Sequence, residues 1–187
     1  MGQISTNEFR SGMKVLVENT PYTIVTNEFV KPGKGQPFNR VKLKHLITGK
    51  VIERTFKSGE KLDEADVSEL KMRLLYQDGD GGVFMNETDY EQLTISHDIL
   101  EGIKGWLKDD TVYDLVFYNN APIAVEPPTF MELDIVQTDP AVRGDTSGKV
   151  MKPAELETGM TIQVPIFIEN GEKVKVDTRT ASYVSRV

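Results

Sequence analysis

Short runs in which apolar and polar residues alternate with a period of two dominate this chain, and turn-forming residues separate them. That pattern commits a chain to β-structure, because a period of two sends successive side chains to opposite sheet faces. Met13-Lys14-Val15-Leu16-Val17 and Tyr22-Thr23-Ile24-Val25-Thr26 flank Glu18-Asn19-Thr20-Pro21, which reads as a hairpin turn. In Asn39-Arg40-Val41-Lys42-Leu43-Lys44-His45-Leu46, Val41 and Leu43 alternate with Arg40, Lys42 and Lys44, so the basic side chains share one face. Thr48-Gly49 then turns the chain into Lys50-Val51-Ile52-Glu53-Arg54-Thr55-Phe56. Residues 1–65 therefore predict a small, bent antiparallel sheet with a long hairpin, and Gly59 to Asp66 reads as a linker or short helix.

Further along, Leu70 to Tyr76 and Val83 to Met85 flank the turn Asp78-Gly79-Asp80-Gly81-Gly82. Asp89 to Leu93 and Ile99 to Leu107 read as short helical pieces, and strands resume at Thr111 to Tyr118 and Pro122 to Glu126. Pro127-Pro128 marks a break, since the residue before a proline is pushed out of the helical region. A third region opens with the strand Phe130 to Val136 and runs through a loop, Asp139 to Pro153. Strands follow at Met160 to Ile168, Glu172 to Asp177 and Tyr183 to Arg186. The expected division is 1–65, 66–128 and 129–187, and the last two stretches have the strand spacing of small oligonucleotide-binding barrels.

Charge is distributed unevenly. The net formal charge is −7, yet residues 1–65 carry +4, residues 66–128 carry −9 and residues 129–187 carry −2. Between Lys31 and Lys57 stand eight basic residues and the single acid Glu53. A local basic face on an acidic protein steers an anionic partner to one end. The absence of cysteine excludes disulfides and thiolate chemistry, and fits a reducing cytoplasm. No apolar run reaches the about 18 residues of a membrane helix, and the start of the chain lacks a basic segment followed by an apolar one. Met1-Gly2 with Thr6 fits a myristoylation pattern only loosely.

The stretch Phe29-Val30-Lys31-Pro32-Gly33-Lys34-Gly35-Gln36 holds the candidate site. Pro32 fixes its own φ, while Gly33 and Gly35 remove the Cβ on both sides of Lys34 and permit positive φ. Such a loop can push one long cation into a narrow cleft. Lysine at a hairpin tip is also ordinary turn chemistry that keeps a loop soluble. Elsewhere, His45 and His97 have no metal-ligand partners at suitable spacing. Asp78-Gly79-Asp80 lacks the register of a calcium loop, and Gly144-Asp145-Thr146-Ser147-Gly148-Lys149-Val150 has the wrong glycine spacing for a phosphate-binding loop. Asp109-Asp110 reads as a solvated turn, and no nucleophile–base–acid constellation is visible, so an enzyme is not expected.

Several motifs, taken in order, resemble bacterial elongation factor P across the whole chain. They are Asn7-Glu8-Phe9-Arg10, Glu28 to Gln36, Thr55-Phe56-Lys57-Ser58-Gly59-Glu60, Tyr76 with its acidic-glycine turn, and Asn86-Glu87-Thr88. Pro127-Pro128, Thr138-Asp139-Pro140, Gly144-Asp145-Thr146, Val176-Asp177-Thr178-Arg179 and Tyr183-Val184-Ser185-Arg186 complete the set. The resemblance implies an all-β protein of three small barrels, one SH3-like and two of the oligonucleotide-binding type, in an L shape like tRNA. It implies a cytoplasmic, monomeric, non-catalytic factor that binds ribosomal RNA and peptidyl-tRNA between the P and E sites and relieves stalling at proline-rich sequences. Lys34 matches the family's modified loop-tip residue, with Lys31, Pro32, Gly33 and Gly35 supporting it. Its context resembles the branch in which a lysyl-tRNA-synthetase-like ligase adds a β-lysine; no other cofactor and no metal is implied. Arg40, Lys42 and Lys44 would contact phosphates, and Gly144, Asp145 and Thr146 match a loop that approaches the exit-site codon. Pro37 departs from the small residue common in relatives.

Other functions fit less well. A generic RNA-binding barrel without a ribosomal role would want exposed aromatics for base stacking, and the basic stretch holds only Phe38 and Phe56. A ligase or other enzyme would need a nucleotide motif, and a paralogue of elongation factor P lacking the tip lysine would not carry Lys34 between Gly33 and Gly35.

Overall fold

The alternation is realised as strands. The computed structural model describes residues 2–141 and 150–187, and among them β-structure predominates. The single α-helix among the described residues, α1 (His97–Leu100), continues into a 3-10 segment, Glu101–Trp106, where short helical pieces were expected. No helix among the described residues is long and apolar enough to cross a membrane. The chain divides into two compact units, Met1–Glu69 with Leu115–Ala124, and Leu70–Asp114 with Val125–Val187.

In the first unit, β1 (Gln3–Ser5) precedes a four-stranded antiparallel sheet of β2 (Lys14–Val17), β3 (Thr20–Val30), β4 (Phe38–His45) and β5 (Val51–Lys57). The turn between β2 and β3 is tighter than expected. Glu18 and Asn19 both take positive φ, 52° and 63°, the signature of a two-residue mirror-image turn, and Thr20-Pro21 already belong to β3. The expected linker or helix at 59–66 is instead β6 (Lys61–Asp63), which pairs antiparallel with β1. Gly59, at φ 84°, makes the turn into it. Three residues are too few for their alternation to be seen in sequence. The core of this sheet is Phe9, Val15, Val17, Ile24, Val41, Leu43 and Phe56, with the rings of Phe9 and Phe56 edge to face at 6.1 Å.

The middle of the chain supplies β7 (Val67–Gln77), β8 (Gly81–Asn86), β9 (Gln92–Ser96), β10 (Val112–Tyr118) and β11 (Ala121–Glu126), in the sheet order β11-β10-β7-β8-β9. The helical expectation at Asp89 to Leu93 is corrected: Tyr90 sits at φ 62° in a turn and Gln92 begins a strand. Asn86 and Asp89 accept the amides of Thr88 at 2.9 Å and Glu91 at 3.0 Å, local side-chain bonds that mimic the start of a helix without continuing it. Asp109-Asp110 is more than a solvated turn. Asp110 has φ 62°, and the Arg73 guanidinium donates to its carbonyl at 2.7 Å and its carboxylate at 3.1 Å. The Tyr113 phenol is buried, which pushes it up to about 12; it donates to the Trp106 carbonyl at 2.6 Å and accepts from the Lys108 amide at 2.9 Å.

The last stretch gives β12 (Phe130–Thr138), β13 (Met151–Leu156), β14 (Thr161–Pro165), β15 (Lys173–Asp177) and β16 (Ser182–Arg186), ordered β14-β13-β12-β15-β16. The end assigned to the Asp139–Pro153 loop is already β13. Its core includes Leu133, Ile135, Leu156, Val164 and Val176, and Trp106 joins them. Lys108 Nζ donates to Glu157 Oε1 at 2.8 Å and to the Glu132 carbonyl at 3.2 Å, while the Asp134 amide donates to Glu157 Oε1 at 2.9 Å. Burial raises the Glu157 carboxyl, but those hydrogen bonds and the charges of Lys108 and Lys173 outweigh it and hold the group below its ordinary 4.5. A carboxyl depressed on folding contributes stability above its unfolded value and loses it as pH falls through the folded one. Glu157→Gln should therefore melt lower than wild type by a constant margin from pH 7 to about 5. That margin should shrink below the carboxyl's ordinary 4.5. Thermal melts across that range check it, and a margin that persisted unchanged at pH 3 would contradict the ion pair.

Candidate functional site

The hairpin β3–β4 is the longest paired ribbon of the first unit. Its register runs from Tyr22 opposite His45 to Val30 opposite Phe38, with a bulge between Ile24 and Thr26, and residues 31–37 close it. The bend falls at residues 33–35. Gly35 has φ 112°, a backbone that a side chain would strain. A Cβ there would lie 3.8 Å from the Pro32 ring. Gly33 does not use the left-handed freedom expected of it; its contribution is bareness, with open space within 4 Å of where a Cβ would stand. Lys31 and Lys34 are exposed and make no hydrogen bond or ion pair among the described residues; Pro32 and Pro37 are half-buried.

The root of the ribbon is fastened by polar groups. Asn39 is 2% exposed, and its amide donates to Asn27 Oδ1 at 2.9 Å. The Asn27 amide donates in turn to the carbonyls of Thr6 and Phe9, at 3.2 and 3.3 Å. Those carbonyls belong to the 3-10 turn Thr6–Glu8 and its cap, which Ser5 and Glu8 close as a capping box. The buried Thr6 hydroxyl accepts from the Gly59 amide at 2.8 Å, and the Ser58 amide donates to the Pro37 carbonyl at 3.2 Å. A buried amide network of this kind fixes one arrangement, because breaking any member strands the others. Asn27, Asn39 and Thr6 were not singled out in the sequence. The available signal was two asparagines on the inward row of facing strands.

Arg40, Lys42 and Lys44 do share the outer face of β4, opposite buried Val41 and Leu43. Pairing changes their meaning. Arg40 stands between Glu28, at 3.6 Å, and Glu53, at 3.7 Å, and Arg54 reaches Glu18 at 3.4 Å. Lys42 is exposed and Lys44 is half-buried. Lys31 and Lys34 near the bend, and Lys42 on the outer face, thus remain without an ion pair among the described residues. Gly144, Asp145 and Thr146 lie outside the described residues. The histidines serve the fold: His45 Nδ1 accepts the amides of Ile47 and Thr48 at 3.1 and 3.2 Å, and His97 Nε2 meets the Asp78 carbonyl at 2.9 Å. No cluster of metal-binding side chains exists among the described residues.

Three family models cover the chain in succession. Residues 5–62 match the elongation factor P (EF-P) KOW-like domain, residues 67–125 the elongation factor P (EF-P) OB domain, and residues 131–186 the elongation factor P C-terminal domain. Elongation factor P 2 of Protochlamydia amoebophila is 62% identical over 188 residues, covering 100% of this chain and 99% of that protein. Elongation factor P 2 of Chlamydia trachomatis is 58% identical, with the same coverage of both chains.

Proposed function

The chain belongs to the elongation factor P family and is a translation elongation factor, and from that premise we propose that it binds the ribosome between the P and E sites and promotes peptide-bond formation at proline-rich sequences. The observation that carries this reading is Lys34: exposed, bare of neighbours and held on a ribbon whose root is tied by Asn39 and Asn27. A proton-transfer catalyst would need a hydrogen-bonded partner for the group at the tip. What the ribbon offers is a cation, extended in this proposal by a β-lysyl group that a lysyl-tRNA-synthetase-like ligase attaches. Lys34 would hydrogen-bond along the CCA end of peptidyl-tRNA and hold it ready for attack. Proline, whose ring fixes φ and limits approach, then gains rate through positioning. Lys42 would contact phosphate without reading bases; Arg40 does so only by leaving Glu28 and Glu53. The motif at Gly144-Asp145-Thr146 is proposed to approach the exit-site codon.

A general single-strand binder would stack bases on exposed rings of its sheets. In the last sheet the exposed rings Phe130 and Phe167 each already have a cation of their own, Lys175 at 4.9 Å from the ring centre of Phe130 and Arg186 at 4.8 Å from that of Phe167. In a reconstituted translation system stalled at consecutive prolines, adding the modified protein should raise the rate of the stalled step. Equal rates with and without it would overturn the proposal.

A further inference from the structure

The inward row of the ribbon outruns the core it faces. Cross-strand pairing places Ile24 with Leu43, Asn27 with Val41, and Phe29 with Asn39 on that row. Leu43 and Val41 are fully buried and Asn39 nearly so, yet Phe29 is 56% exposed. No aromatic ring or cation covers it among the described residues. The next residues toward the bend include the unpaired cations Lys31 and Lys34. On the opposite row, by contrast, Arg40 is already engaged by Glu28 and Glu53.

A naked aromatic face beside unpaired ammonium groups matches single-stranded RNA, which presents a base to stack and phosphates to neutralise. A protein partner fits poorly. Specific protein interfaces bury about 800 Å² per side around clustered anchors, whereas this is one ring near the end of a narrow ribbon. We propose that Phe29 is a stacking platform for an unpaired base at the 3′ end of peptidyl-tRNA, with Lys31 on a neighbouring phosphate. The proposal rests on the function given above and adds a second point of hold to Lys34. One contact lets the RNA end pivot about the cation. Two fix its direction, which is what positioning requires.

The test compares wild type with Phe29→Ala, Phe29→Leu and Phe29→Trp, all full chains with the same mass at Lys34, in single-turnover formation of a Pro-Pro bond across factor concentrations. Alanine and leucine should cut the acceleration at limiting factor about tenfold, as losing one stacked base does, and tryptophan should restore it. Melting temperatures should not move, because the ring is mostly in solvent. Leucine as active as wild type would overturn stacking, as would a fully active alanine variant. A defect seen in variants as isolated from the modifying host but absent from these mass-matched proteins would assign Phe29 to the modifying ligase and also overturn the proposal. Lys34→Ala is run alongside. If it loses the acceleration while Phe29→Ala keeps it, only the Phe29 proposal falls; if it too keeps the full rate, the function itself has failed.

Discussion

Lys34→Ala should fold like wild type and lose the acceleration of proline-stalled synthesis. The side chain is exposed and makes no hydrogen bond or ion pair among the described residues, so no polar contact of the folded state is removed with it. Surface changes of that kind stay within about 0.5 kcal/mol, and the melting temperature should match wild type. The functional loss should be large, because a positioning device fails steeply: a displacement of about 1 Å can cost about 10²-fold in rate. The stalled step should return to its rate without factor. Lys34→Arg sharpens the result. It keeps a charge at the bend but offers no primary amine for a β-lysyl extension. If arginine restores the rate, charge alone suffices; if it does not, the extension is required. A fully active alanine variant would remove Lys34 from the mechanism.

Gly81→Ala should cost more stability than any surface change, about 3 kcal/mol or more. Gly81 has φ 151°, and a Cβ there would stand 1.9 Å from the Ile95 carbonyl oxygen and 2.8 Å from its carbon. Those are backbone atoms of β9, paired with β8, and Gly81 faces Ser96 across that ladder. No rotamer change relieves the clash, so the ladder must open or shift. Gly79, two residues earlier in the same turn, has open space around it and should tolerate alanine within about 0.5 kcal/mol. Urea unfolding of both variants gives the comparison. Similar midpoints for the two would show that β8 and β9 do not approach as closely as described.

The pair of glycines also shows what a sequence discloses. Asp78-Gly79-Asp80-Gly81-Gly82 announces a turn, and the turn is there, with Asp78 accepting the amides of Asp80 and Gly81 at 2.9 and 3.2 Å. Which glycine is indispensable depends on the neighbouring strand, some fifteen residues away, and no local pattern carries that. The same division runs through the site. The ribbon, its outward basic row and the bare lysine were legible, because each rests on alternation or on residue type. The carboxylates beside Arg40 were not: Glu28 and Glu53 reach it only through cross-strand register. Nor was the exposure of Phe29, since alternation assigns it to the inward row and only the extent of the core decides whether that row is covered. The misread segments were those where side chains bond their own backbone, as in Asn86 to Glu91, or where three residues make a strand, as in Lys61 to Asp63.

The amide chain at the foot of the ribbon sets the terms for transplanting it. Asn39 answers Asn27, and Asn27 answers the backbone of Thr6 and Phe9, so the hairpin's bearings are set by residues more than a dozen positions upstream. An engineer who moved residues 20–45 alone onto a foreign barrel would carry the lysine and leave its compass behind.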